Sequence, residues 1–323
     1  MTELTREEKL YVEKTQGLAD KDREQRLTNF LIKAIEQGDL PWEKGWRVLG
    51  RHKNGQTGRE YSGNNMFILP LIAGMKGYDS NEWGTFKMWK ELSAKHNKTL
   101  PDDDKGWFGV KKGEIATPVP YWKVIVKEDK ETGEDKRIFF KKFWDIFNRE
   151  QTGLPPIEID MPDIPLDERE INCKEAMLKY AKDPRKHQSN KCLRVEQGGD
   201  QAFYRYSTHM INLPHDERFT SVEERINTWA HEMFHSTGKH LDRKMGTGFG
   251  SEDYAAEELR AEMGAALICA EFGFDYTSRN NMVAYIGSWL KRLKSDKTWL
   301  DKVSRSVGKG VGLILDEIEE EEE

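Results

Sequence analysis

Cysteine and long hydrophobic runs are scarce in this sequence, and each scarcity excludes a class of protein. Cys173, Cys192 and Cys269 are scattered along 323 residues without CxxC spacing. Neither a disulfide framework nor a cysteine zinc site is therefore indicated. No apolar run approaches the roughly 20 residues that a membrane-spanning helix needs. The N-terminus also lacks the apolar core of a secretory signal, so we expect a cytoplasmic protein without a membrane partner.

Charged residues are abundant but unevenly distributed. Residues 1–150 carry 28 Lys and Arg against 25 Asp and Glu, whereas the remainder carries 23 against 32. This distribution is typical of two parts with different partners. The N-terminal excess does not by itself predict nucleic-acid binding, because phosphate binding depends on local clusters of basic residues.

The length exceeds that of an average domain, and a segment rich in proline and acids, TGLPPIEIDMPDIPLDERE from Thr152, marks a boundary. We predict an α+β protein with two domains. The predicted parts are a flexible arm at 1–22, an N-terminal α/β domain at 23–152, a linker at 153–169, a C-terminal domain at 170–315 and an acidic tail at 316–323.

Hydrophobic spacing predicts the main elements of both parts. In the N-terminal part it predicts a helix at 26–37, another at about 85–95 and a β-hairpin formed by 119–127 and 136–147. Short strands or turns are expected over the rest of 41–113. In the C-terminal part it predicts a strand at 204–214 and helices at 170–182, 221–238, 251–273, 281–294 and 297–315.

One C-terminal helix contains the motif His231-Glu232-Met233-Phe234-His235. Residues four apart share a helix face, so His231 and His235 can present two imidazole nitrogens to one zinc ion. Glu232 is then placed to act as a general base on water. The apolar neighbours predict a buried helix. Burial of its polar groups is unfavourable unless a bound ion or another partner compensates for it. An ordinary polar helix face is the alternative.

The following helix offers the third ligand, because EELRAEMGAAL contains Glu257, Glu258 and Glu262. Glu258 and Glu262 share a face, so one can bind metal while the other holds a histidine. Here the sequence resembles zincins of the glutamate-ligand type. That resemblance implies Glu258 as the ligand and Glu262 as the partner of a histidine. Glutamate at 262, where those zincins have aspartate, leaves the two roles open.

Other polar residues of the C-terminal half are assigned more simply. Tyr254, one helical turn before Glu258, is a candidate hydrogen-bond donor to a reaction intermediate. His209, His215 and His240 are interpreted as surface or turn residues, because two histidines and a glutamate already complete a zinc site.

In the N-terminal half, aromatic and basic residues alternate. Basic side chains neutralise phosphates and aromatic rings stack on unpaired bases, a combination suited to single-stranded DNA. Tryptophans in a small domain are also common core residues, so composition leaves the choice open. The candidate DNA-binding residues are Trp42, Trp46, Arg47, Arg51, Lys53, Arg59, Tyr61, Lys111, Lys112 and Trp122.

Ordered motifs run through nearly the whole chain, among them TGRxYxGxN at 57–65, VKKGE at 110–114, AHExxHxTG at 230–238 and YIxSWL at 285–290. Together they resemble the plasmid- and phage-borne ArdC antirestriction family. The resemblance implies an N-terminal domain that binds single-stranded DNA with little sequence preference and a C-terminal zincin domain. It also implies a role in protecting entering DNA from host restriction.

Three interpretations of the function stay open. The first is a DNA-binding antirestriction protein whose zinc site retains the residues for peptide hydrolysis. The second is a binding protein with a structural zinc that protects DNA sterically. The third is a regulatory zinc protease that cuts a host repressor or defence protein and uses its N-terminal domain for targeting. The sequence does not identify a protein substrate, because fold and motif alone do not fix an activity.

Overall fold

The computed structural model describes residues 20–36, 51–62, 64–128, 135–157, 164–245, 251–276, 283–296 and 298–315. Its described residues form two compact units. The first unit takes residues from 1–31, 53–59 and 82–157, and the second from 32–52, 60–81 and 158–323. No described helix is both long and apolar enough to cross a bilayer.

Helices and strands occur in both units, which confirms the predicted α+β class. In chain order the described elements are α1 (Asp20–Glu36), β1 (Lys53–Asn54), α2 (Asn64–Lys76), β2 (Glu82–Thr85), α3 (Phe86–Asn97), β3 (Thr117–Glu128), β4 (Asp135–Asn148), α4 (Leu166–Lys182), β5 (Arg194–Gln197), β6 (Phe203–Arg205), β7 (Met210–Leu213), α5 (Val222–His240), α6 (Glu252–Glu271), α7 (Val283–Ser295) and α8 (Trp299–Ile314).

The first unit is built on a four-stranded sheet of order β1-β2-β4-β3. β3 and β4 pair in antiparallel register from Thr117 opposite Ile146 to Glu128 opposite Asp135, which confirms the predicted hairpin. α3 begins where Thr85 accepts a hydrogen bond from the Met88 amide. Its Trp89 is fully buried and donates its indole N–H to a carbonyl of β4, so α3 packs on this sheet.

α2 is a helix where sequence analysis predicted short strands or turns. It contains Pro70, which cannot donate an intrahelical hydrogen bond and is uncommon inside a helix. Its apolar residues follow one another without a polar face, so no amphipathic period revealed it. Phe67, Ile68 and Leu71 are buried, and the helix packs against α8 in the second unit. Residues 60–81 therefore group with the second unit, although the predicted domain at 23–152 includes them.

The second unit has a three-stranded sheet of order β5-β7-β6. The predicted strand at 204–214 was wrong as a single element, because β6 and β7 are two strands paired antiparallel. A turn joins them, and its His209 has a φ of 48°. No glycine or proline lies between Phe203 and Leu213, so the sequence gave no signal of the turn.

The helices of the second unit meet around Phe234 of α5. A Cβ atom at Gly264 of α6 would lie 2.0 Å from this ring, and one at Gly310 of α8 would lie 2.5 Å from it. Both positions therefore need glycine to admit the ring. Phe234 is itself fully buried, so this packing fixes α5 at the residue that precedes His235.

Candidate metal centre

α5 carries its polar motif in the middle of a buried helix. Ser221 caps the helix by accepting a hydrogen bond from the Glu224 amide. His231, Glu232 and His235 are 2%, 4% and 8% exposed, respectively. Burial of three polar side chains on one helix is unfavourable unless partners compensate for the lost water.

The structure brings the three residues predicted as ligands together. The Nε2 atoms of His231 and His235 lie 3.1 Å apart. The Glu258 carboxylate of α6 lies 3.5 Å from each of them, through Oε2 to His231 and Oε1 to His235. The candidate ligand atoms of the three residues all lie within 4.8 Å of one another.

A second carboxylate lies behind each imidazole. Glu262 Oε1 is 3.1 Å from His231 Nδ1, and Glu257 Oε1 is 3.3 Å from His235 Nδ1. Tyr276 donates its hydroxyl to the other oxygen of Glu262 at 2.8 Å. A carboxylate beside Nδ1 favours the tautomer with its proton there, which leaves the Nε2 lone pair directed at Glu258.

This donor set fits a divalent metal ion. Two imidazole lone pairs and a carboxylate converge within a buried space, and such groups repel one another unless a cation lies between them. Two histidine nitrogens and one glutamate oxygen are also a recurrent ligand set for a metal site with an open position. His231, His235 and Glu258 are therefore the residues that can hold the ion.

Glu258 is held ionised. Burial raises its pKa, but without an ion a hydrogen bond from His231, the positive charge of protonated His235 and His231, and a hydrogen bond from Tyr254 outweigh burial and lower the pKa to about 2. A carboxylate ready to bind a cation is the result. Tyr254, predicted as a donor to a reaction intermediate, is thus placed by the structure as a hydrogen-bond donor to Glu258.

Sequence analysis missed Arg243, which follows α5. Its Nη2 and Nε atoms donate to the two oxygens of Glu257 at 2.7 and 3.0 Å. Burial raises the pKa of Glu257, yet the positive charge of Arg243 and the contact with His235 lower it overall. Arg243 therefore keeps the carboxylate behind His235 ionised. No local motif marks it, because its role arises from contact with another helix.

The other histidines of the second unit lie elsewhere. His215 and His240 are exposed, as predicted. His209 lies in a turn, as predicted, but is buried, where its Nε2 is 3.0 Å from His187 Nδ1. Burial, and then the nearby His187, lower the pKa of His209 to about 4. His209 is therefore a neutral, hydrogen-bonded residue.

The candidate DNA-binding residues have diverse surroundings. Trp42, Trp46, Arg47 and the side chain of Trp122 lie outside the described residues. Arg51 is ion-paired with Glu271 and Glu60, Lys53 lies 3.9 Å from Glu82, and Lys111 donates to the Glu150 carbonyl. Arg59 and Lys112 are exposed, and burial raises the pKa of Tyr61 to about 12.

The first unit also exposes aromatic residues outside the set of candidate DNA-binding residues. Phe86, Trp107 and Trp144 are 49%, 53% and 52% exposed. Lys142 and Trp144 are exposed and Phe143 between them is buried, so Trp144 lies on the solvent side of this part of β4. By contrast, Trp83 and Trp89 are core residues with no exposed surface.

Two family models match the chain. The N-terminal domain of anti-restriction factor ArdC matches residues 21–147, and a zincin-like metallopeptidase model matches residues 186–305. The second match includes every residue of the candidate metal centre that comes from α5 and α6. The zincin-like match and the donor set thus agree on a divalent metal.

Curated relatives and solved structures cover most of the chain. An uncharacterized protein, y4eC of Sinorhizobium fredii, is 30% identical over 84% of this chain and 85% of its own length. A DNA primase TraC of Escherichia coli is 32% identical over 82% of this chain, which spans only 18% of that primase.

Crystal structures of the antirestriction ArdC protein from the R388 plasmid share the fold. The metal-free form is 28% identical, with a TM-score of 0.67 over 91% of this chain and 96% of that protein. The Mn(II)-bound form is 26% identical, with the same TM-score over 93% and 99%.

Proposed function

The chain belongs to the ArdC antirestriction family, and on that premise we propose that it binds single-stranded DNA, protects it from restriction and carries a zinc-dependent peptidase site. The convergence of His231, His235 and Glu258 beside Glu232 is the observation that supports the catalytic part. The match of the first unit to the ArdC N-terminal domain supports the DNA-binding part.

Zinc is the proposed ion. Two imidazoles and one carboxylate form the three-ligand set of catalytic zinc sites, which keep a fourth position for water or substrate. Imidazole ligands favour zinc over manganese, which prefers oxygen ligands. The Mn(II)-bound relative makes manganese the competing ion, and metal analysis distinguishes the two.

Residues of this chain have distinct roles in the proposed hydrolysis. A bound zinc ion supplies polarisation of the scissile carbonyl and lowers the pKa of water. Glu232 accepts a proton from the attacking water at its carboxylate and delivers it to the leaving amine. Glu257 lies within hydrogen-bond distance of His235 Nδ1, and Glu262 Oε1 lies 3.1 Å from His231 Nδ1. Both carboxylates therefore favour the tautomers whose Nε2 lone pairs are available to the ion.

Metal content tests the site. We expect one zinc ion per chain, measured by elemental analysis of protein purified without chelator, because three ligand atoms converge within a buried space. His231→Ala combined with His235→Ala is expected to lose the ion. His215→Ala combined with His240→Ala, which changes two exposed histidines, is the matched control. Stoichiometric manganese, or zinc that persists in the first double variant, would contradict the proposal.

Protection of DNA tests the biological role. The frequency with which unmodified DNA enters a restricting host is compared in the presence of the wild type and of Glu232→Gln. We expect protection by the wild type. If Glu232→Gln still protects the DNA, protection is assigned to DNA binding. If Glu232→Gln no longer protects it, protection is assigned to peptide cleavage. Absence of protection by the wild type would contradict the proposed role.

A further inference from the structure

Trp144 is a large aromatic residue that β4 exposes to solvent. It is 52% exposed, and its ring stacks on that of Tyr121 from β3 with centroids 5.1 Å apart and planes 25° apart. The register places Lys142 directly opposite Tyr121. Residues paired across strands, and residues two apart in one strand, share a face of the sheet. Tyr121, Lys142 and Trp144 therefore form one surface, called here the hairpin platform.

The opposite face of the hairpin is covered. Phe143 is buried, Lys141 pairs with Glu24 at 2.7 Å, and Asp145 pairs with Arg23 at 2.7 Å. Both partners belong to α1, so this helix lies over that face. The hairpin platform thus lies on the face away from α1, where Lys142 and Trp144 are exposed although Val119 and Ile146 of the same face are buried. Asp145, which neighbours Trp144 in β4, is paired on the other face.

The charge of the hairpin platform is positive. Lys142 is exposed, and no hydrogen bond or ion pair joins its side chain to another described residue. An ammonium group in this state is available to a phosphate. A half-exposed indole that stacks on a second aromatic ring beside such a group is a combination by which proteins hold unpaired bases and their backbone. Bases inside a duplex are already stacked on one another, so their faces are not available to the indole.

Trp107, the other exposed tryptophan of this unit, has a different explanation. Its indole N–H donates to the Val110 carbonyl at 2.9 Å, and a Cβ atom at Gly109 would lie 2.4 Å from its ring. Its ring centroid is 6.0 Å from that of Phe86. Trp107 therefore packs against its own loop and against Phe86. Three aspartates at 102–104 precede it, and their charge opposes a phosphate backbone.

From these contacts we infer that single-stranded DNA binds to the hairpin platform, with a base stacked on Trp144 and a phosphate at Lys142. The inference rests on the proposed DNA binding and assigns its location. Lys142 and Trp144 are not among the candidate DNA-binding residues of the sequence, because only the structure shows that Trp144 is exposed and stacked on Tyr121.

The test measures binding of fluorescein-labelled oligo(dT) of about 20 nucleotides to the full chain by anisotropy, at about 0.1 M salt. Trp144→Ala is expected to weaken binding about 5- to 150-fold, the range that loss of one stacked base gives. Trp144→Phe is expected to restore most of the affinity. A plot of log affinity against log salt concentration has a negative slope. Lys142→Gln is expected to make this slope less steep by about 0.7, the value for one phosphate contact on a single strand.

Trp107→Ala is the matched control, since this tryptophan is equally exposed in the same unit. We expect it to change the affinity by less than about twofold, and far-UV circular dichroism establishes that each variant folds. Wild-type affinity in Trp144→Ala, or an equal loss in Trp107→Ala, would overturn the location while leaving the proposed DNA binding intact. If the wild type fails to bind oligo(dT) even at low salt, both the location and the DNA binding are wrong.

Discussion

The orientation of the two imidazoles depends on residues outside α5. Glu262 lies behind His231 and Glu257 behind His235, and both come from α6. Partners of this kind set the tautomer of a metal-binding histidine and raise its basicity. The metal centre is therefore a property of the pair of helices, with Glu258 between the two supporting carboxylates.

At Glu232 the proposed proton transfer can be tested without removing the metal ligands. Glutamine has nearly the same shape as glutamate but does not accept the proton, so Glu232→Gln is expected to lower any peptide cleavage by at least about 100-fold. Zinc content, fold and oligo(dT) affinity should not change. A proteolysis screen on candidate host proteins is run with elemental analysis, and Glu217→Gln, an exposed glutamate, is the control. A variant that loses zinc, or cleaves as well as the wild type, would show that Glu232 has another role.

Arg243 is expected to affect zinc affinity although it does not touch the proposed ion. Arg243→Gln removes the bidentate partner of Glu257, so the carboxylate behind His235 is held less firmly. Loss of such a partner typically lowers metal affinity about 10- to 100-fold, which competition with a chelating dye measures. Arg260→Gln is the control, because Arg260 lies 3.6 Å from the same carboxylate and should have a smaller effect. Equal zinc affinities in Arg243→Gln and the wild type would contradict this role.

At the scale of helices, close packing around Phe234 explains two glycines. Gly264→Ala is expected to carry an overpacking cost of about 1–3 kcal/mol, because a Cβ there would lie 2.0 Å from the buried ring of Phe234. The gain in helix propensity of about 1 kcal/mol offsets part of this cost, so the expected net loss of stability is up to about 2 kcal/mol. Urea unfolding measures the difference. Gly287→Ala in α7 is the control: nothing lies within 4 Å of its Cβ, so that variant should keep or gain stability. A more stable Gly264→Ala would show that the ring can shift.

Elements were predictable where the local pattern and the final packing agree. α5 has a capping serine and two histidines on one face, so its position followed from the sequence, and its proposed role in metal binding was predicted from the same motif. α2 was missed because Pro70 and a continuous apolar run hide a helix that forms by packing against α8. The choice between Glu258 and Glu262 likewise depended on how α6 faces α5, which no local pattern contains.

At the scale of the whole molecule, chain order and spatial grouping differ. Residues 60–81 precede most of the first unit in the chain but group with the second unit. A truncation after residue 150 would separate α2 from α8, against which it packs. Binding experiments on the first unit are therefore designed with the full chain, in which each helix keeps its packing partner.

For the full chain we expect tighter binding to single-stranded DNA than to a duplex of the same length and sequence. Exposed aromatic rings can stack on unpaired bases, whereas a duplex offers them only its backbone. The affinity should fall linearly with the logarithm of the salt concentration, because each phosphate contact releases counterions. Anisotropy titrations at three or more salt concentrations, with labelled single and double strands in parallel, measure both effects. Equal affinity for the two forms would contradict the stacking argument. An affinity that does not depend on the salt concentration would instead contradict the phosphate contact assigned to Lys142.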